Sequence, residues 1–205
     1  MTFHHYFSGD ADKRSRFIFN FIAPIYSYLS PSIEKAFSKA IDKVQKEINI
    51  KGKTVMDIGT GTGAWAANFK LAGAEYVVGI DFAEKMLKKA KLQYPEMEFV
   101  KGNAENLSHF ADNTFDIVTA SFVLHGVKAD KRANILSEMK RVSRKHIVLH
   151  DFVGKTPWII RILEFMERSD YKFFKQNICY ELNLKFTNCS RIPVKYGTGI
   201  YLAEK

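Results

Sequence analysis

The scarcest informative residue is cysteine: the 205-residue chain has two, Cys179 and Cys189. They lie ten positions apart with no Cys-x-x-Cys pair and no metal-ligand spacing. That argues against a zinc site or a disulfide framework and for a reducing, cytoplasmic setting. Long apolar runs are also missing; none approaches the roughly 20 residues that cross a bilayer. Repeats and low-complexity tracts are absent. The opening MTFHHYFSGDADKR lacks the basic-then-apolar order of a secretory signal, and His4 and His5 alone do not make a tag. Acids are the minority charge, 22 against 31 Lys and Arg, leaving a net +9. Such an excess attracts RNA, anionic lipid or an acidic substrate. Here the basic residues are dispersed, with no run of five, as on a solvated surface that keeps a protein soluble.

What is present is ordinary for a globular chain: 46% hydrophobic and 26% charged residues, enough for one large domain or a domain with an added lobe. Residues 10–48 read as helical, broken by Pro24 and Pro31, with Ser30-Pro31 as a cap and first helical position. Ile33, Phe37, Ile41, Val44 and Ile48 then form one helical stripe. From Lys53 the pattern changes. Short apolar runs (Thr54–Ile58, Tyr76–Ile80, Glu98–Val100, Phe115–Ala120, His146–Leu149) alternate with the helical stretches Ala64–Leu71, Phe82–Tyr94 and Lys131–Val142. This predicts a parallel sheet covered on both faces. Trp158–Phe174 reads as a further helix. Asn188–Lys195, a turn at Gly197-Thr198-Gly199 and Ile200–Ala203 read as a closing antiparallel hairpin. The expected fold is an α/β, Rossmann-like three-layer sandwich. Its seven-stranded sheet is mostly parallel, with one antiparallel strand near the C-terminus, and N-terminal helices are added. A helical cover over 1–49 would precede a domain over 50–205, in which 155–180 could act as a lid.

The stretch TVMDIGTGTGAW (54–65) carries the chemistry. A strand entering a helix through glycines lets backbone N–H groups and the helix dipole approach a ligand. Gly59, Gly61 and Ala64 satisfy the G-x-G-x-x-G/A fingerprint. Asp81 lies twenty residues beyond Gly61 at the end of the next strand, where a carboxylate can accept from ribose hydroxyls. Alone, this predicts an adenosine-containing ligand without separating a dinucleotide from other nucleosides.

VMDIGTGTG, followed in order by VVGIDFAEKML, VKGNAENL and NTFDIVTASFVLH, resembles the motif series of class I S-adenosylmethionine-dependent methyltransferases over about 50–151. ILSEMKRV resembles the EMxRV helix of their small-molecule branch, and FIAPIY an N-terminal element of the ubiquinone/menaquinone-biosynthesis C-methyltransferases. The resemblance implies that Asp57 braces the loop and that Gly59, Gly61 and Gly63 make room for the methionine part of S-adenosylmethionine. It implies that Asp81 binds the ribose hydroxyls and Phe82 packs on adenine. Asn103 and Ala104 would meet the adenine edge, and Ser121 and Phe122 would line the methyl-donor pocket. Two positions depart from the family pattern. Asn103 stands where many relatives have Asp, keeping a carbonyl acceptor, and SRKH replaces the usual Pro-Gly-Gly turn before the fifth strand.

Methyl transfer from a sulfonium needs alignment and exclusion of water, and a base only if the acceptor must lose a proton. His125, at the end of SFVLH, is the candidate base, because a free imidazole titrates near 6.5; otherwise it caps or packs at the strand end. His150-Asp151 ends the next strand, where alternation would turn His150 away from Asp151. Tyr26, His125 and Trp158 are expected to line an acceptor pocket walled by the N-terminal helices and 155–180. Both segments are aromatic-rich, which suits a small hydrophobic or aromatic acceptor, a contact with a membrane surface, or simply amphipathic cover. No DNA partner is expected. The rival readings are an RNA methyltransferase, an NAD-binding oxidoreductase and a non-catalytic cofactor-binding partner subunit. The first lacks a visible RNA-binding module and the Asn/Asp-Pro-Pro-Tyr motif of many base N-methyltransferases.

Overall fold

The structure is a computed structural model that describes residues 35–154, 169–195 and 197–205. A helix over 35–47 (α1) leads into β1 (Thr54–Ile58), α2 (Ala64–Leu71), β2 (Tyr76–Asp81), α3 (Glu84–Gln93), β3 (Glu98–Lys101) and β4 (Phe115–Ser121). A single 3-10 turn (Leu124–Gly126), α4 (Ala129–Val142), β5 (Ser143–Phe152), α5 (Tyr171–Asn183), β6 (Thr187–Pro193) and β7 (Thr198–Glu204) follow. The seven strands form one sheet in the order β3-β2-β1-β4-β5-β7-β6. All pairs are parallel except those of β7, which runs antiparallel to both β5 and β6. The expected sheet with one reversed strand near the C-terminus is what the structure has.

Alternation along the strands sorts the core into two layers. Met56, Ile58, Val118, Ala120, Ile147 and Leu149 face α4 and α5, against Leu136, Met139, Phe174 and Ile178. Val55, Val77, Ile117 and Val148 face the other way, against Ile41 and Val44 of α1, Trp65 and Phe69 of α2 and Leu87 of α3. Central strands covered on both faces explain why they read as unbroken apolar runs. The predicted α1 stripe holds where it is described: Ile41, Val44 and Ile48 are buried, and Phe37 meets Trp65 edge-on at 5.2 Å.

Strand order reverses direction around β1, with β2 and β3 on one side and β4 on the other. In open parallel sheets a ligand sits at such a switch point, here the carboxyl ends of β1 and β4. Three details differ from expectation. SRKH forms no loop: Ser143 is both the C-cap of α4 and the first residue of β5, and the join is absorbed by a register shift between Phe115 and Ile117. The hairpin turns earlier than Gly197-Thr198-Gly199, with Thr198 N–H on the Lys195 carbonyl and Val194 N–H on the Thr198 carbonyl. Gly199 is instead a strand residue, where a Cβ would lie 2.7 Å from the Ile192 carbonyl. The helix expected over Trp158–Phe174 does not run through: Ser169 and Asp170 are non-helical, Asp170 is the N-cap of α5, and α5 spans Tyr171–Asn183, while 158–168 lie outside the described residues. Tyr26 and Trp158 lie outside the described residues.

Candidate functional site

β1 ends at Ile58 and the chain turns through Gly59 (φ 67°), Gly61 (φ 55°) and Gly63 (φ 84°) into α2. Two of these glycines serve different ends. A Cβ on Gly59 would lie 2.5 Å from Val123 Cγ2, so this glycine lets the loop close on the segment after β4. Among the described residues, nothing lies within 4 Å of a Cβ built on Gly61. Its bare backbone suits an approach site for a ligand. Gly63 N–H donates to the Thr60 carbonyl and the Gly63 carbonyl accepts from Ala67 N–H, fixing the first turn of α2.

The loop is held by Asp81. Its Oδ2 accepts from Gly61 N–H at 2.9 Å and its Oδ1 from Ala83 N–H at 2.7 Å. Thr60 N–H adds a bond to the Ile80 carbonyl at 2.9 Å. Carboxylate oxygens can each accept more than one hydrogen bond. Asp81 thus braces the loop. Asp57 is 1% exposed, and among the described residues neither of its oxygens, nor the Thr60 hydroxyl, makes a well-formed hydrogen bond. Burial pushes the Asp57 carboxyl from 3.8 up to about 8; weak contacts from the Thr60 hydroxyl and the Ala66 N–H offset this only in part, and the Asp81 charge adds to it. A buried carboxyl so poorly satisfied, beside the glycine loop, fits a cationic ligand group.

At the carboxyl end of β2, Phe82 opens the β2–α3 connection, 41% exposed. Asn103 is exposed, and its Oδ1 accepts from Glu105 N–H at 3.0 Å, an Asx turn that shapes the loop after β3. Ala104 is half-buried against the α4-side core. Ser121 ends β4, with its Oγ 3.1 Å from His150 Nδ1. Phe122 follows at φ 54°, its N–H on the His150 carbonyl and its ring among His150, Phe152 and His125.

His125 sits in the 3-10 turn, 6% exposed. Its Nδ1 lies 2.8 Å from Asp151 Oδ1, and its ring packs against Phe152 at 4.8 Å and Phe174 of α5 at 6.4 Å. Asp151 Oδ1 also accepts from Phe152 N–H. In the tautomer in which Nδ1 donates to Asp151 Oδ1, the lone pair lies on Nε2. As alternation predicts, His150 faces the other layer. It stacks on Trp65 (4.9 Å, 22°), and burial holds it near pKa 4, hence neutral.

Sequence reading did not foresee Arg132. Fully buried, it donates from Nη1 to the Leu124 and Val127 carbonyls that bracket His125, and from Nε and Nη2 to Glu181 of α5 at 2.6 and 2.8 Å. The available signal was an arginine three, four and seven positions before Ile135, Leu136 and Met139, on the buried stripe of α4. The same is true of Thr119, which accepts from Trp65 Nε1 and donates to the Val148 carbonyl, tying α2 to the sheet.

Residues 55–146 match the family described as a methyltransferase domain. The demethylmenaquinone methyltransferase of Renibacterium salmoninarum is 42% identical over 95 residues, 46% of this chain and 38% of that protein. The one from Staphylococcus saprophyticus is 34% identical over 150 residues, 70% of this chain and 57% of its own length. The chain thus spans from about four to six tenths of these relatives. Among solved structures, magnesium protoporphyrin IX methyltransferase from Synechocystis PCC 6803 with bound SAM superposes with a TM-score of 0.70 at 20% identity, covering 97% of this chain and 99% of that one. A SAM-dependent methyltransferase from Aquifex aeolicus gives 0.63 at 22%, covering 80% and 88%. At such identities the likeness speaks for the fold. Residues 55–146 thus carry a methyltransferase domain, and the chain is similar to S-adenosylmethionine-dependent methyltransferases in sequence and in fold.

Proposed function

We propose that the chain binds S-adenosylmethionine across the β1–α2 and β2–α3 loops and transfers its methyl group to a small, largely hydrophobic acceptor of the quinol type. The observation that carries the reading is Asp57, a buried carboxyl with no well-formed hydrogen bond among the described residues, beside the glycine loop that holds Gly61. Its chemistry suits the ammonium of the cofactor's methionine part. Asp81, at the switch point, is the acceptor for the ribose hydroxyls. Phe82, Asn103 and Ala104 would hold the adenine, Ser121 and Phe122 the donor end. When bound, the cofactor supplies an electrophilic methyl on a sulfonium.

The chain's own part is orientation, exclusion of water and, for an acceptor that must ionise, removal of a proton. His125 would act as that base through Nε2, with Asp151 holding Nδ1–H and stabilising the imidazolium. Arg132 would keep the 3-10 turn in place. The quinol class is suggested by the demethylmenaquinone methyltransferases to which the chain is similar, and the aromatic surroundings of His125 agree with it. Tyr26 and Trp158 remain proposed as further lining. No helix among the described residues is long and apolar enough to cross a membrane. A cytoplasmic enzyme, touching at most a membrane surface to meet its acceptor, goes with this reading.

Calorimetry tests the cofactor: S-adenosylhomocysteine should bind and NAD should not, and tighter NAD binding would overturn the reading. Turnover on a panel of quinols, phenols, thiols and amines tests the acceptor. With a quinol, His125→Ala should lower turnover by about 10²–10⁴-fold at unchanged cofactor affinity. A loss below about tenfold, against that range, would remove His125 from proton transfer.

A further inference from the structure

The chain's only two cysteines, scattered in the sequence, are brought together by the fold. Cys179 lies on α5 and Cys189 on β6, the edge strand, and their Sγ atoms are 2.7 Å apart with Cys189 donating to Cys179. The juxtaposition is built by the backbone around it. Thr187 pairs with Glu204 and Ser190 with Leu202, so β6 carries one residue more than β7 over this span. Asn188, at φ 55°, makes that bulge. Cys189 N–H is held by Asn183 Oδ1 at 3.2 Å, and the α5–β6 connection by Lys185 and Phe186 N–H on the Leu182 carbonyl. Both thiols are half-buried and pack on the α4-side core, so small oxidants can reach them.

We propose that Cys179 and Cys189 form a reversible oxidation site, closing to an intramolecular disulfide when the chain meets a peroxide. In the first step the Cys179 sulfur, which accepts the Cys189 S–H, attacks the O–O bond. An S–O bond forms, the O–O bond breaks, and one water leaves, giving a sulfenic acid. In the second step the Cys189 sulfur attacks the Cys179 sulfur. The S–S bond forms, the S–O bond breaks, and the Cys189 proton leaves with the hydroxyl as a second water. Overall two thiols are oxidised by two electrons and one peroxide is reduced to two waters. Burial and the neighbouring Cys179 push the Cys189 thiol up, which makes it the poorer group for the first attack on the peroxide. The disulfide would staple α5 to the sheet edge. α5 carries Phe174, which packs on His125, and Glu181, which holds Arg132. The redox state would therefore set the stiffness of one wall of the candidate site.

The test uses the full chain, reduced and then treated with hydrogen peroxide. Alkylation followed by intact mass should show both thiols lost together, a mass lower by two hydrogens, and no dimer. Non-reducing peptide mapping should join the two cysteine peptides, and dithiothreitol should restore both thiols. The oxidised chain should melt several degrees higher than the reduced one, and this rise should be absent in Cys179→Ser and Cys189→Ser. Cys189→Ser should accumulate a dimedone-reactive sulfenic acid at Cys179. Independent loss of the two thiols, a link between two chains, or no sulfenic acid in Cys189→Ser would each overturn the assignment.

Discussion

Asp57 offers a perturbation whose size follows from the structure. In the folded protein its carboxyl holds a proton up to about pH 8, whereas the ordinary value is 3.8. Between those values the native state binds a proton that the unfolded chain has released, so the free energy of unfolding falls as pH rises. At pH 7 the cost to the ligand-free protein is on the order of 4 kcal/mol, from 1.36 kcal/mol per unit over about three units. Asp57→Asn is nearly isosteric with the protonated form and has no proton to lose. Urea titrations from pH 4 to 8.5 should find the variant equal to wild type at the acid end and increasingly more stable above it, levelling beyond about pH 8. The binding of the cofactor product should change in the opposite sense. If its ammonium meets an ionised Asp57, affinity rises about tenfold per pH unit below 8 in wild type and is flat and weaker in the variant. Parallel stability profiles would refute the buried, poorly satisfied carboxyl. A pH-independent wild-type affinity would refute its pairing with a cation.

The acid side tests His150, which burial holds near pKa 4, below the ordinary 6.5. Its contribution is fully present above pH 6.5 and is lost as pH falls toward 4, so His150→Gln should flatten that limb by about 3 kcal/mol in urea titrations. Gly61→Ala, at φ 55° and with no described atom within 4 Å of its Cβ, should lower ligand-free stability by only about 1–2 kcal/mol while impairing cofactor binding; Gly59→Ala, driven into Val123, should unfold at markedly lower urea. Asp81→Ala should weaken binding of S-adenosylhomocysteine by about 1.5–3 kcal/mol. Because Asp81 also accepts the Gly61 and Ala83 amides, it should lower the ligand-free melting temperature as well.

The parts of the fold legible in sequence were those written in local pattern. β1, its glycines and α2 fall where the apolar run, the bare loop and the 64–71 stripe predict them, because strand, turn and helix signals there lie within twenty residues of each other. The β5 start was not legible. A helix running directly into a strand leaves no turn residue to read, and Ser143 belongs to both elements. Asp81 was visible as a candidate ligand group but not as the loop's brace, since that role depends on how β2 lies beside β1.

The candidate site itself is assembled by register, and register explains both what was readable and what was not. In parallel pairing Ser121 stands beside His150, so the residues just past Ser121 and just past His150 emerge at the same end of the sheet. That relation brings His125 to Asp151 across 26 positions, and it was implicit in two strands whose ends the sequence marked with histidines. Choosing Asp151 over His150 as the partner follows from alternation: the strand sends His150 to Trp65 and Asp151 to the opposite layer. Arg132 follows no such rule. Its stripe position would ordinarily hold an apolar side chain, and a buried guanidinium is tolerable there because Glu181, Asp170 and two carbonyls meet it. Those partners come from the turn around His125 and from α5 with its N-cap, so their meeting is a property of the assembled core. The cysteine pair has the same character. Spacing alone argues against a bridge, and only the bulge at Asn188 and the packing of α5 on the sheet edge bring the two sulfurs face to face.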